Sequence, residues 1–457
     1  MILAPELVYL DGAFVEGMAI DVDVASGAIR GIDAVVPEDA VRLPGRAVLP
    51  GFVNAHSHSF QRAIRGRTQW KPAAQPMADF WSWREQMYAA ARSFSPDQVE
   101  IVARACFIEM LKAGYTTVGE FHYLQRAGDG QRYEDPNELA KRVLAAAADT
   151  GIRIVLLNVC YVTGSIGEPL RPEQARFATP DLDEFLAATE NLRETRSNLA
   201  TVGIAPHSVR AVPRNWFAPL AAAAQSFDVP LHMHVNEQPA EVSACEAAYG
   251  MRPLELLDSE GVLSDRFTGV HGTHASAREI ALLGAARASI CACPTTERDL
   301  GDGLLAAADV LAAGASICIG TDSQTIIDPW EEVRLIEYNE RLRTLKRVVI
   351  TTERADRLDA APVLIDAGTR AGAASLRVAA GKIAAGLAAD LIAVDLTHHA
   401  LAGWTRDSLA AMLAFSAPAN VVSDVWVAGR QVVRDGVHAL EDAAFRQYSN
   451  VIRAVMP

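Results

Sequence analysis

The chain has 457 residues, 50% of them hydrophobic and 21% charged, with a formal net charge of −14. That composition can bury a large core and argues against wholesale disorder. The negative charge argues against nucleic acid as a partner, because such binding relies on clustered Lys and Arg.

The length suits one (β/α)8 barrel with insertions plus a modest satellite domain, since such barrels run from about 250 to over 400 residues. No positively charged leader followed by an apolar run opens the chain. The alanine-rich stretch 305–315 falls well short of the roughly 20 residues that span a bilayer. A cytoplasmic protein without membrane contact is expected. Cys106, Cys160, Cys245, Cys291, Cys293 and Cys318 are scattered in apolar segments, so reduced, buried thiols are expected. Cys291 and Cys293 are too short a pair to form a four-ligand zinc site alone.

In chain order, short apolar runs at 7–10, 13–16, 20–24 and 46–50 alternate with Gly, Asp and Pro and read as small β-strands. The segments 389–395 and 425–433 carry the same signal. A composite β-sandwich domain from both termini, 1–50 and 378–457, makes residues 51–377 an insertion. Within that insertion, strand-like runs alternate with helical patterns, the signature of βαβ units. Eight runs, at 52–56, 116–121, 153–159, 201–206, 230–235, 268–271, 289–292 and 316–320, predict a closed barrel. Ser95-Pro96-Asp97-Gln98 marks a helix start with an N-cap, proline at N1 and a capping-box glutamine. The segments 69–78 and 294–299 read as loops.

His56 and His58 are two residues apart near the end of the first barrel strand, so alternation puts both on one face, here the barrel interior. Alone, such a pair reads more readily as hydrogen-bonded core. His232 and His234 repeat the spacing on the fifth strand, His271 ends the sixth, and Asp322 follows the eighth. All fall at C-terminal strand ends, where barrel enzymes place their chemistry. His234 lies nearer the strand end and is the better ligand candidate, whereas His232 sits a layer deeper and packs.

Pro50-Gly-Phe-Val-Asn-Ala-His56-Ser-His58, His234-Val-Asn-Glu237, Val270-His271 and Gly320-Thr-Asp322 resemble the amidohydrolase superfamily, over nearly the whole chain. The resemblance implies an α/β fold, a TIM-like (β/α)8 barrel carrying a metal at its mouth on His56, His58, His234 and Asp322. Two-metal members usually add a carboxylated lysine or a glutamate at the fourth strand, and 201–207 contains neither. One divalent metal is therefore expected, Zn2+ first and Fe2+ as the alternative. The implied catalytic residues are Asp322, which accepts a proton from the activated water, His271, which steers that water, and Glu237, which protonates the leaving nitrogen.

Residues around the strand ends narrow the resemblance. Gln61-Arg-Ala, Phe80-Trp-Ser-Trp-Arg84, Glu120-Phe-His-Tyr123, His207-Ser-Val-Arg210 and Thr296-Glu-Arg-Asp-Leu-Gly-Asp-Gly303 resemble the superfamily's deiminases of formiminated glutamate, enzymes of histidine degradation. The implied reaction turns N-formimino-L-glutamate into N-formyl-L-glutamate and ammonia. The substrate is a small anionic dicarboxylate, and Arg84 and Arg210 can each grip a carboxylate with a planar fork. Gln61, Tyr123 and His207 add further hydrogen bonds. A homodimer is expected. The pattern departs at Gln324, where histidine is expected, and at 294–299. The alternatives are a superfamily deaminase of an aminated heterocycle, such as a nucleobase or nucleoside, and a barrel scaffold without chemistry.

Overall fold

The computed structural model describes residues 1–71, 79–354 and 356–456. Eight parallel strands lie side by side in chain order: Phe52–Ser57, Tyr115–His122, Arg153–Cys160, Ala200–Pro206, Leu231–Val235, Phe267–His271, Ser289–Ala292 and Ser316–Ile319. Each expected run lies on one of them. Nearly every residue of these strands is buried, because helices cover one face and barrel side chains fill the other.

The eighth strand closes on the first through a bridge between Ser57 and Asp322. There the Asp322 amide donates to the His56 carbonyl, and the His58 amide donates to the Asp322 carbonyl, both at 3.0 Å. Gly320 permits the approach. A Cβ at that position would lie 2.8 Å from the His56 carbonyl oxygen.

The terminal strands form one nine-stranded, mostly antiparallel sheet that mixes both chain ends. Its centre is Ile2–Leu10, paired in parallel with Val41–Pro50, which pairs in turn with Leu391–Asp395. The single run expected at 425–433 divides into Val422–Val427 and Arg430–Arg434. The tight connection needs positive φ, supplied by Ala428 at 47° and Gly429 at 72°. Leu3, Val8, Ile20, Val22 and Trp426 give this sheet a core of its own, while Leu7, Tyr9 and Leu49 join the main core. Arg153 of the third barrel strand clamps the two layers, donating from Nε and NH2 to the Asp390 carboxylate at 2.7 and 3.0 Å.

The helix Pro96–Ala113 begins as its sequence predicts: Gln98 N donates to Ser95 Oγ, and Ser95 N donates to Gln98 Oε1. Replacing Ser95 with Ala is expected to lower stability by about 1 kcal/mol, read from denaturant unfolding; an unchanged midpoint would show that the cap contributes nothing. Residues 294–299 do not form the expected loop but the helix Pro294–Leu300. Proline opens it, the Glu297 carboxylate accepts the Cys293 amide at 2.8 Å, and Gly301 ends it at φ 74°. The loop expected over 69–78 falls largely on 72–78, outside the described residues. All six cysteines are buried and free. Among the described residues, no helix is long and apolar enough to cross a membrane.

Candidate metal centre and active site

His56 projects from the first strand and His58 from the residue just past its end, and His234 reaches them from the fifth. His56 Nε2 lies 3.2 Å from His58 Nε2 and 3.1 Å from His234 Nε2. Asp322 Oδ1 completes the group, 3.2 Å from His56 Nε2 and 3.1 Å from His58 Nε2. All four ligand atoms fall within 4.8 Å of one another and all four residues are buried.

The outer ring nitrogens explain what this group is for. His58 Nδ1 donates to the Phe121 carbonyl and His234 Nδ1 to the His207 carbonyl, each at 3.0 Å. A proton held at Nδ1 leaves Nε2 with a bare lone pair. Burial lowers the His56 ring to about 3 and holds the His234 ring well below the imidazole range, so these rings are neutral. Bare nitrogens at such separations repel unless a cation lies between them. Burial favours a protonated Asp322, but the His56 and His58 rings beside it hold it well below the usual carboxylate range. Three imidazole nitrogens and one carboxylate fit one divalent metal ion.

His271 stands beside this cluster with its two nitrogens divided between roles. Nδ1 lies 3.3 Å from Glu297 Oε1, while Nε2 points between Glu237 Oε1 at 3.7 Å and Asp322 Oδ2 at 3.9 Å. Burial would lower this ring, but Glu237, Glu297 and Asp322 together raise it to about 10. Both His271 and Asp322 hold positive φ, 75° and 43°, a backbone strain that clusters at functional sites.

The five expected substrate contacts, Gln61, Arg84, Tyr123, His207 and Arg210, line one cavity with His58, His234, Glu237 and Asp322. Gln61 Nε2 donates to Tyr123 Oη at 2.8 Å. The Arg84 guanidinium lies over the Trp81 ring at 4.5 Å, and its buried Nε has no hydrogen-bond partner among the described residues. His207 is kept neutral by burial and by the nearby Arg210. Arg210 is already engaged, its NH2 donating to Glu237 Oε2 at 3.1 Å and its Nε lying 3.6 Å from Glu241 Oε2.

His232 packs below the site, its Nε2 3.0 Å from the Ser375 carbonyl oxygen. Gln324 accepts from Thr321 Oγ1 at 2.7 Å and donates to Ser57 Oγ at 2.9 Å, so it braces the turn that carries Asp322. Sequence reasoning gave no role to Glu120, Glu241, Glu297 or Asp302. Glu120 accepts from Ser57 Oγ, Ser59 N and Ser59 Oγ. Burial and the nearby Glu237 raise the Asp302 carboxyl to about 9. The spacing of Glu241 four residues past Glu237, and of Glu297 in the first turn after Pro294, were the available signals.

A closed parallel barrel with three histidines and an aspartate converging at its C-terminal mouth defines a metal-dependent barrel hydrolase. The amidohydrolase family matches residues 47–432, and the chain belongs to that family. It is 39% identical over 430 residues to the formimidoylglutamate deiminase of Pseudomonas aeruginosa, covering 94% of each. The crystal structure of an amidohydrolase from Brucella melitensis is similar at TM-score 0.89 and 32% identity, covering 100% of both chains. An adenosine deaminase from Xanthomonas campestris with bound zinc gives TM-score 0.81 at 26% identity, over 99% of this chain and 98% of that one. The chain is thus a hydrolase of C–N bonds.

Proposed function

We propose that this enzyme hydrolyses N-formimino-L-glutamate to N-formyl-L-glutamate and ammonia in the cytoplasmic degradation of histidine. One observation carries the reading: two guanidinium groups, Arg84 and Arg210, share a cavity with the metal cluster. A dicarboxylate matches two planar forks, whereas an uncharged ring uses neither. The name of the Pseudomonas relative supports the same substrate. The division of the chain into a terminal domain, 1–50 with 378–457, and a barrel, 51–377, belongs to this proposal.

Zinc is the proposed metal, held by His56, His58, His234 and Asp322; when bound, it polarises the substrate and brings the pKa of water to about 7. Asp322 takes the proton of the attacking water, and His271 Nε2 steadies that water between Glu237 and Asp322. Glu237 takes the second proton of that water and delivers it to the terminal nitrogen, Asp322 returns the first, and as the bond to the formimino carbon breaks ammonia departs while oxygen stays on carbon. One equivalent of metal per chain is expected from elemental analysis. Two equivalents would overturn the single-metal assignment.

The alternative scission would release formamide and glutamate. With both carboxylates held by Arg84 and Arg210, the formimino end reaches furthest in, and its terminal nitrogen meets Glu237. Proton NMR of a completed reaction should therefore show a formyl signal on glutamate with stoichiometric ammonia. Free glutamate with formamide would mean that the substrate binds the other way round.

A further inference from the structure

Arg210 is an unusual carboxylate receptor, because it already has two carboxylates. Glu237 holds its NH2 at 3.1 Å, and Glu241 stands 3.6 Å from its Nε. Glu241 lies in the first turn of the helix Pro239–Tyr249, is 0% exposed, and neither of its oxygens makes a hydrogen bond among the described residues. Glu237 lines the cavity that Arg210 faces, and Glu241 does not. One guanidinium thus has a wall-side edge turned to Glu241 and a cavity-side edge turned to Glu237.

We propose that Glu241 is a positioning and specificity-determining residue: it holds the Nε edge of Arg210, so that a substrate carboxylate displaces Glu237 from the other edge and frees it to carry the proton. The inference rests on the dicarboxylate reading above. Arg210 remains paired throughout, first with Glu237 and then with the substrate, while Glu241 fixes its orientation. Glu237 released in this way stays beside His271 Nε2, 3.7 Å away. Capture of the correct carboxylate and arming of the proton carrier become one event. Burial, opposed by Arg210, raises the Glu241 carboxyl to about 7.

This coupling predicts that an amidine lacking the carboxylate read by Arg210 loses kcat and not only affinity, because Glu237 stays tied. The test uses wild-type holoenzyme, Arg210→Met, Glu241→Gln and Glu241→Asp. Substrates are formiminoglutamate and its two truncated analogues, each missing one carboxylate, with and without added acetate. For the wild type, one truncated analogue should lose at least about 100-fold in kcat, and acetate should restore at least about tenfold by filling the vacant place. Arg210→Met should abolish the acetate effect.

Glu241→Gln should raise KM for formiminoglutamate about tenfold with kcat falling less than about threefold. Loss of the Glu241 charge leaves Glu237 as the sole anion on Arg210, and the substrate must break a tighter pair. Glu241→Asp, which keeps the charge, should recover part of the KM. Unchanged KM in Glu241→Gln, or truncated analogues that lose affinity alone with no response to acetate, would overturn the coupling while leaving the substrate assignment intact. A wild-type enzyme inert toward formiminoglutamate but active on an aminated ring would overturn both.

Discussion

Glu237→Gln is expected to retain its metal and lose about 10²- to 10⁴-fold in kcat, since an amide cannot move a proton. The geometry makes this a sharp expectation. Glu237 is buried, sits 3.7 Å from His271 Nε2 and 3.1 Å from Arg210, and is not one of the four converging ligands. The isosteric amide keeps the hydrogen-bond acceptor for Arg210, so the pocket should hold its shape. Metal analysis and steady-state kinetics on the same preparation decide it. Loss of metal with near-normal activity after reconstitution would make Glu237 a structural residue.

Arg84→Met and Arg210→Met should each weaken capture of formiminoglutamate by about 2–5 kcal/mol, because each leaves a desolvated carboxylate without its partner. Methionine keeps much of the aliphatic stem but removes the guanidinium that lies over Trp81 in Arg84 and over Phe80 in Arg210, so the loss reports charge and ring stacking together. The two variants should differ in kind. Arg84 forms no ion pair among the described residues and its loss should fall on KM, whereas loss of Arg210 also leaves Glu237 and Glu241 facing each other without a cation. Unchanged kinetics in both variants would reject the dicarboxylate pocket, and an uncharged ring substrate would be nearly indifferent to either change.

Much of this architecture is legible in residue order because period and punctuation carry it. Alternation placed His56 with His58, and strand-end position ranked His234 above His232. Pro96 and Ser95 announced their helix. What escaped did so for physical reasons. The strand Ala28–Asp33 has no apolar run, with Arg30, Gly31 and Asp33 among its six residues, and it exists because Ala19–Asp23 pairs with it. The helix Pro294–Leu300 was masked by its polar composition, although proline and glycine bracket it. Glu297, Glu241 and Asp302 resemble surface carboxylates in sequence. Only the folded chain brings Glu297 to His271 and Glu241 to Arg210, and tertiary proximity leaves no local periodic trace.

The seam of the barrel runs through the candidate metal ligands. The last strand meets the first by hydrogen bonds that use the backbones of His56, His58 and Asp322, and the side chains of the same residues converge on one point. A cation held there would act as a rivet through the join. Loading and closure are then two readings of one free energy: the factor by which the ion tightens the join is the factor by which affinity for the ion falls when the join opens fully.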